Sequence, residues 1–300
     1  MRITNNLATQ LAITNFSTVR EQLDAAQTQV TTGHKFEQAS QDPTAAVGVM
    51  QDESQLSALG QYQRNVGTAS ARVNLESGVL NQINDLLTRA KELAIAQATG
   101  TATAATRQST LPEVNQLLAQ AVQLSNTKDG SEYLFGGTNS TNVPYTVQTT
   151  GQSYTFSVAT PPPSGPRQLE ISAGQRIVAG HDGTQVFGDA TSGTLKTLQD
   201  LAGALQSGDQ TQVTNTLSSI DTAIQNTQSL IGDAGARANT LDITKANITA
   251  LNNQVTQFKS DLQDVDVETA MTNLVSRQTA YQAAMAATSR VLSLSLTSYL

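Results

Sequence analysis

Apolar side chains recur along this chain at alternating steps of four and three residues, the spacing of helices that bury one seam. Ala12, Phe16, Val19, Leu23, Ala26 and Val30 form the first stripe and predict an amphipathic helix that stops at the Gly33 turn of "TTGHKF". "QASQDPTAA" restarts a helix, with Asp42 as N-cap and Pro43 at the first helical position, where a missing N–H does no harm. From Tyr62 the stepping continues through Val66, Ala69, Val73, Glu76, Leu80, Ile83, Leu87, Ala90 and Ala94, one long helix ending near Gly100. Leu111, Val114, Leu118 and Ala121 predict another, with Pro112 near its start.

The period changes over residues 131–190. Short aromatic or β-branched runs ("EYLFGG", "PYTVQ", "SYTFSV", "QLEIS", "QRIVAG", "TQVFG") alternate with Gly, Pro, Ser and Asn clusters, which predicts a small β-domain. The proline-stiffened "ATPPPSGPR" is a loop within it. Helical stepping returns at Leu195, Leu198 and Leu205. It then runs from Val213 through Ile220, Thr227, Ala234 and Leu241 and, after a change of register, through Ile248, Val255, Phe258, Leu262 and Val265. Gly232 and Gly235, just before that change, predict close helix packing or a bend. After "SDLQDVDVETA", a last stripe joins Val267, Met271, Leu274, Gln278, Tyr281, Met285, Thr288, Leu292, Ser295 and Tyr299.

The expected fold class is therefore α+β: a long-helix bundle or coiled coil formed by the N- and C-terminal halves, with a small β-domain inserted in the middle. Its expected domains are nested. Residues 1–42 and 263–300 are terminal helices, 43–130 and 194–262 a helical bundle, and 131–193 a β-rich outer domain. Asp42, Pro43, Asp264 and Asp266 mark the joints.

Charge alters this picture by exclusion. The net charge is -7 with an isoelectric point near 4.8, so the basic stripe that nucleic acid requires is missing. Charged residues make up only 14%, against about 25% in an ordinary domain, and Ala, Gln, Thr, Ser and Asn take their place. Amides and hydroxyls cost less to desolvate than ions, which suits repeated burial against neighbours. There is no cysteine, hence no disulfide or Cys-ligated metal site. The opening "MRITNNLATQLAITNF" lacks the pattern of a cleavable signal peptide, and no run approaches a membrane span.

Candidate chemistry is sparse. Asp261, Asp264, Asp266 and Glu268 lack the glycine and the ligand offsets of a calcium loop and read as acidic residues at the next helix start. His34 and His181 read as turn residues beside Gly33 and Gly183, with no carboxylate arrangement around them. No catalytic residue, metal ligand or cofactor is nominated. The terminal stripes carry the expectation instead. Phe16, Val19, Leu23 and Val30 are too few to stabilise an isolated helix, and "TAYQAAMAATSRVLSLSLTSYL" runs to Leu300 with little charge and no stop signal, so both ends are expected to become covered by protein on assembly.

Specific residues also resemble the flagellin superfamily, and within it the FlgL-type hook–filament junction proteins, over nearly the whole chain. "QASQDPTAAV" is similar to the family's Ser-Asp-Asp-Pro joint, with Gln41 in place of one Asp, and "QYQRNVGTAS" resembles its Gln-Tyr-x-x-Asn stretch through Gln61, Tyr62 and Asn65. "RAKELAIAQA" resembles a bundle helix, and "NTKDGSEYLFGGTNSTNVPY" the entry into the β-domain, with Tyr145 where Phe is usual. "GARANTLD" and the closing segment from Asp264 resemble the return helix and terminal motif.

The resemblance implies a non-enzymatic structural subunit of the bacterial flagellum. It implies export through the flagellar type III apparatus, a ring of copies between the adjacent hook-associated protein and flagellin, and a FlgN-type export chaperone, with neither nucleic acid nor membrane as partner. Phe16, Val19, Leu23, Val30, Met271, Leu274, Tyr281, Met285, Leu292 and Tyr299 form the expected assembly and chaperone face. Two alternatives remain open: a short flagellin that polymerises by itself, and a cytoplasmic coiled-coil signalling or adaptor protein. A hydrolase is a remote third.

Overall fold

The computed structural model describes residues 2–165 and 167–297. Helix α1 (Arg2–Thr32) ends as its sequence predicts. Gly33 takes φ +75°, the left-handed conformation that closes a helix without a Cβ clash, and donates its N–H to the Gln29 carbonyl at 2.9 Å. Helix α2 (Pro43–Gln97) starts directly after Asp42, whose Oδ1 accepts the Ala45 N–H at 3.0 Å. Its stripe from Val66 to Ala94 is buried, Glu76 included.

Helix α3 (Ala104–Ser125) opens on a capping box between Thr103 and Thr106. Pro112 lies well inside it rather than near its start. The interruption is tolerated because Pro112 and Gln108, the residue whose carbonyl loses its helical partner, are both solvent-exposed, while Leu111, Val114, Leu118 and Ala121 anchor the opposite face.

The inserted region contains three separate antiparallel hairpins rather than one sheet: β1 (Lys128–Asp129) with β2 (Glu132–Tyr133), β3 (Tyr145–Thr150) with β4 (Ser153–Val158), and β5 (Gln168–Ser172) with β6 (Gln175–Val178). The "TQVFG" run is not a strand. Asp182 Oδ1 accepts the Gln185 N–H at 3.0 Å and Gln185 Oε1 accepts the Asp182 N–H at 3.3 Å, and this reciprocal cap turns Gly183–Val186 into a short helix, α4. Helices α5 (Thr194–Ser207), α6 (Gln210–Gln263) and α7 (Val267–Thr297) complete the chain. Among the described residues no helix is long and apolar enough to cross a membrane. The fold is thus mostly helical with a small central region of short strand pairs, as the α+β reading expects.

The chain divides into two compact units, one formed by the residues up to Ala58 with those from Ala250, the other by Leu59–Thr249. In the second, α3 and α5 pack together, and Leu118 of α3 and Leu195, Leu198, Leu201 and Leu205 of α5 are all fully buried. The α6 stripe is buried at Val213, Ile220, Thr227, Ala234, Leu241 and Ile248. Gly232 and Gly235 do not mark close packing: a Cβ at either would meet nothing within 4 Å.

An aromatic cluster organises the hairpins. Phe135 meets Phe187 edge-on at 5.0 Å, and Tyr145 lies 5.8 Å from the same ring. Tyr145 is fully buried, and its hydroxyl donates to the Gly188 carbonyl at 2.7 Å. Asn126 grips the same residue through its backbone, Nδ2 donating to the Tyr145 carbonyl at 2.7 Å and Oδ1 accepting its N–H at 3.2 Å. Burial, with Asp182 and Asp189 adding to it, pushes the Tyr145 phenol above the ordinary tyrosine value.

Tyr145→Phe is expected to cost about 1 kcal/mol by orphaning the Gly188 carbonyl, measured by urea unfolding. Because folding makes this phenol harder to ionise, its contribution is fully present below the ordinary value of about 10 and is lost as the pH rises beyond it. Ultraviolet titration should show a tyrosine whose ionisation is delayed until the protein unfolds.

Candidate assembly surface

A lone amphipathic helix needs a partner, and α1 and α7, from opposite ends of the sequence, pack on each other. On α1 the predicted stripe faces inward: Leu23 and Ala26 are buried, and Ala12, Phe16, Val19 and Val30 are half-buried. The Phe16 and Tyr281 rings stack with centroids 5.2 Å apart, and Arg277 Nη1 donates to Gln22 Oε1 at 2.6 Å.

On α7 the predicted stripe divides. Ala270 is buried, and Leu274, Tyr281, Ala284 and Thr288 are half-buried, so the seam toward α1 includes small residues that permit close approach. Val267, Met271, Val275 and Met285 remain 46 to 62% exposed. On α1, Leu7, Leu11 and Ile13 are likewise more than half exposed. Tyr299 lies outside the described residues, as does the side chain of Leu292.

The joint between these helices and the rest of their unit is a short antiparallel bridge. The Lys35 N–H donates to the Gln263 carbonyl at 2.7 Å, and the Val265 N–H to the Gly33 carbonyl at 2.8 Å. His34 Nδ1 stands 3.2 Å from Asp264 Oδ1, and Ser260 Oγ donates to Asp264 Oδ2 at 2.6 Å. Asp266 caps α7, its Oδ1 accepting the Glu268 N–H at 3.1 Å. Gln41 Oε1 accepts the Glu37 N–H at 2.9 Å, which ties the loop leading to Asp42. Phe36, Ala46 and Val49 form a small core beneath that loop. The acidic run is therefore occupied by caps and local hydrogen bonds.

The second unit holds a cluster that sequence reasoning missed. His181 Nδ1 lies 2.5 Å from Glu76 Oε1, and its Nε2 lies 2.9 Å from Asp233 Oδ2. Arg237 pairs with Asp233 at 2.5 Å, and Arg72 donates to the Leu134 carbonyl and approaches Asp129 at 3.5 Å. Burial, then Arg167 nearby, lowers Arg72 from its usual value. Both histidines thus meet carboxylates, contrary to expectation, because their partners lie 230 and 105 residues away in sequence. The one available signal was a charged residue, Glu76, inside an otherwise apolar stripe.

Comparison with known proteins agrees with this architecture. The family model for the bacterial flagellin N-terminal helical region matches residues 3–140, and that for the C-terminal helical region matches residues 217–300. Together they span most of the chain, which belongs to the bacterial flagellin family. Among its relatives is the flagellar hook-associated protein 3 of Escherichia coli, 26% identical over 304 residues that cover 89% of this chain and 90% of the relative. The Bacillus cereus FlgL structure is 21% identical with a TM-score of 0.56, covering 70% of this chain and 99% of that one. The flagellar junction protein FlgL from Legionella pneumophila is 16% identical with a TM-score of 0.55, covering 74% of this chain and 100% of its own.

Asp42→Ala is expected to lower stability by about 1 kcal/mol, the usual cost of an unmade N-cap. Amide exchange localises the effect: Thr44, Ala45 and Ala46 should lose protection, while residues 104–125 keep theirs.

Proposed function

We propose that this chain is a structural subunit of the bacterial flagellum that joins a hook-associated protein to the flagellin filament. The observation that carries this reading is the match, along most of both chains, to a relative named flagellar hook-associated protein 3. The terminal pair supports it physically. It packs on a seam rich in small residues and leaves Val267, Met271, Val275 and Met285 outward, a row suited to further helices.

In this reading residues 1–42 and 263–300 form the inner assembly domain, 43–130 and 194–262 the bundle, and 131–193 the outward β-region. The joints lie at Asp42, Pro43, Asp264 and Asp266. Phe16, Val19, Leu23, Val30, Leu274 and Tyr281 hold the terminal pair together, and Met271 and Met285, continued by Leu292 and Tyr299, meet neighbours. Those neighbours are further copies in a ring, the adjacent hook-associated protein, flagellin and, before export, a FlgN-type chaperone. The work is mechanical: side-chain packing couples two helical lattices outside the cell and passes torque between them.

Purified chain mixed with filament seeds is expected to decorate ends without elongating them. Long self-polymers in the electron microscope would overturn the junction reading in favour of a filament subunit. Met271→Asp with Met285→Asp should lower monomer stability by no more than about 1 kcal/mol per site, since both side chains are half exposed and the change costs helix propensity as well as partial burial. The same pair should abolish end decoration and swimming; normal motility in the double variant would remove these residues from the assembly face.

A further inference from the structure

Glu76 is 1% exposed on the apolar face of α2, and a carboxylate so placed needs polar partners. The segment that follows β6 supplies them. The His181 N–H donates to Glu76 Oε1 at 2.9 Å, and the ring Nδ1 lies 2.5 Å from the same oxygen. Across the ring, Nε2 lies 2.9 Å from Asp233 Oδ2 and 3.3 Å from Arg237 Nη2, both on α6, and Arg237 Nη1 donates to the Val178 carbonyl at 3.3 Å. Gly180, at φ +138°, passes so close to α2 that a Cβ there would stand 2.9 Å from Glu76 Oε2. Any side chain at that position would meet both a strained backbone and the carboxylate.

We propose that Val178–Asp182 is a strap, fastened by His181 to α2 on one side and α6 on the other, which holds the β5–β6 hairpin to the helices and releases it as a unit without melting them. Three features support release rather than mere burial. The two arms differ, since Glu76 is sealed whereas the Asp233 side chain is 47% exposed, so water reaches the outer arm first. Among the described residues Glu76 Oε2 is buried without a hydrogen-bond partner, with only the field of the nearby Arg72 guanidinium to offset it, a cost of the fastened state that opening relieves. Apart from the strap, one hydrogen bond among the described residues ties this hairpin to a long helix, from Asn65 Nδ2 to the Glu170 carbonyl at 2.7 Å. The strap does not depend on the junction reading.

Amide hydrogen exchange of the full chain tests it. His181→Ala should accelerate exchange in β5 and β6 by about tenfold or more, while interior amides of α2 and α6 change by less than about twofold. Asp233→Asn, which loosens only the half-exposed arm, should give the same pattern at roughly threefold. Unchanged hairpin exchange in Asp233→Asn would overturn the proposal, as would acceleration spread equally over hairpin and helices in either variant. Should His181→Ala fail to fold, Asp233→Asn decides alone.

Discussion

Every long helix in this chain presents one apolar stripe that it cannot cover by itself, and that constraint sets the rest of the architecture. Helices α2 and α6 are 55 and 54 residues long, far beyond what local propensity sustains without packing. Their stripes, and those of α1 and α7, come from opposite halves of the sequence, so the chain must leave and return before any seam closes. The bridge of Gly33 and Lys35 with Gln263 and Val265 is where that return is registered in unit 1, by two backbone hydrogen bonds that fix which residues lie opposite each other.

The inserted region solves a different problem. Three two-stranded hairpins have too little shared surface to build a sheet core, and isolated hairpins are marginal. They are held instead by one aromatic cluster and by polar side chains that reach backbone groups: Asn65 to Glu170, Asn126 to Tyr145, Arg72 to Leu134 and Glu76 to His181. Several of these residues lie in the segments that resemble the flagellin superfamily. Their amide and guanidinium groups satisfy carbonyls and N–H groups that no neighbouring strand supplies.

The terminal pair shows how a helix serves two purposes. Packing α1 against Ala270, Leu274, Tyr281 and Ala284 places two alanines in the intramolecular seam and leaves Val267, Met271, Val275 and Met285 of α7 on the outside. Methionine adapts its shape readily, which suits a surface that meets more than one kind of neighbour. The low charge of the segment lowers the desolvation cost of covering it.

The long helices, their caps at Asp42 and Gly33, the α1 seam and the small stranded region between helical halves were legible in sequence, because each follows from spacing and local backbone preference within a few residues. Strands β2 to β6 are legible as runs but not as separate hairpins, β1 falls in residues the pattern assigns to the helical bundle, and "TQVFG" resembles a strand although its reciprocal cap outweighs short β-branched propensity. Pro112 was misplaced because the exposure of its helix face is a tertiary fact. The α7 stripe was read as one seam because spacing alone cannot tell which of two adjacent lines a partner selects. Of the Glu76–His181–Asp233 bridge only Glu76, a charge inside an apolar stripe, stands out in the sequence, because its partners lie far away along the chain. Sequence by itself determined what each segment would form and which half would need the other; tertiary structure alone decided which polar groups would meet, since the partner of a buried charge is chosen by proximity in space.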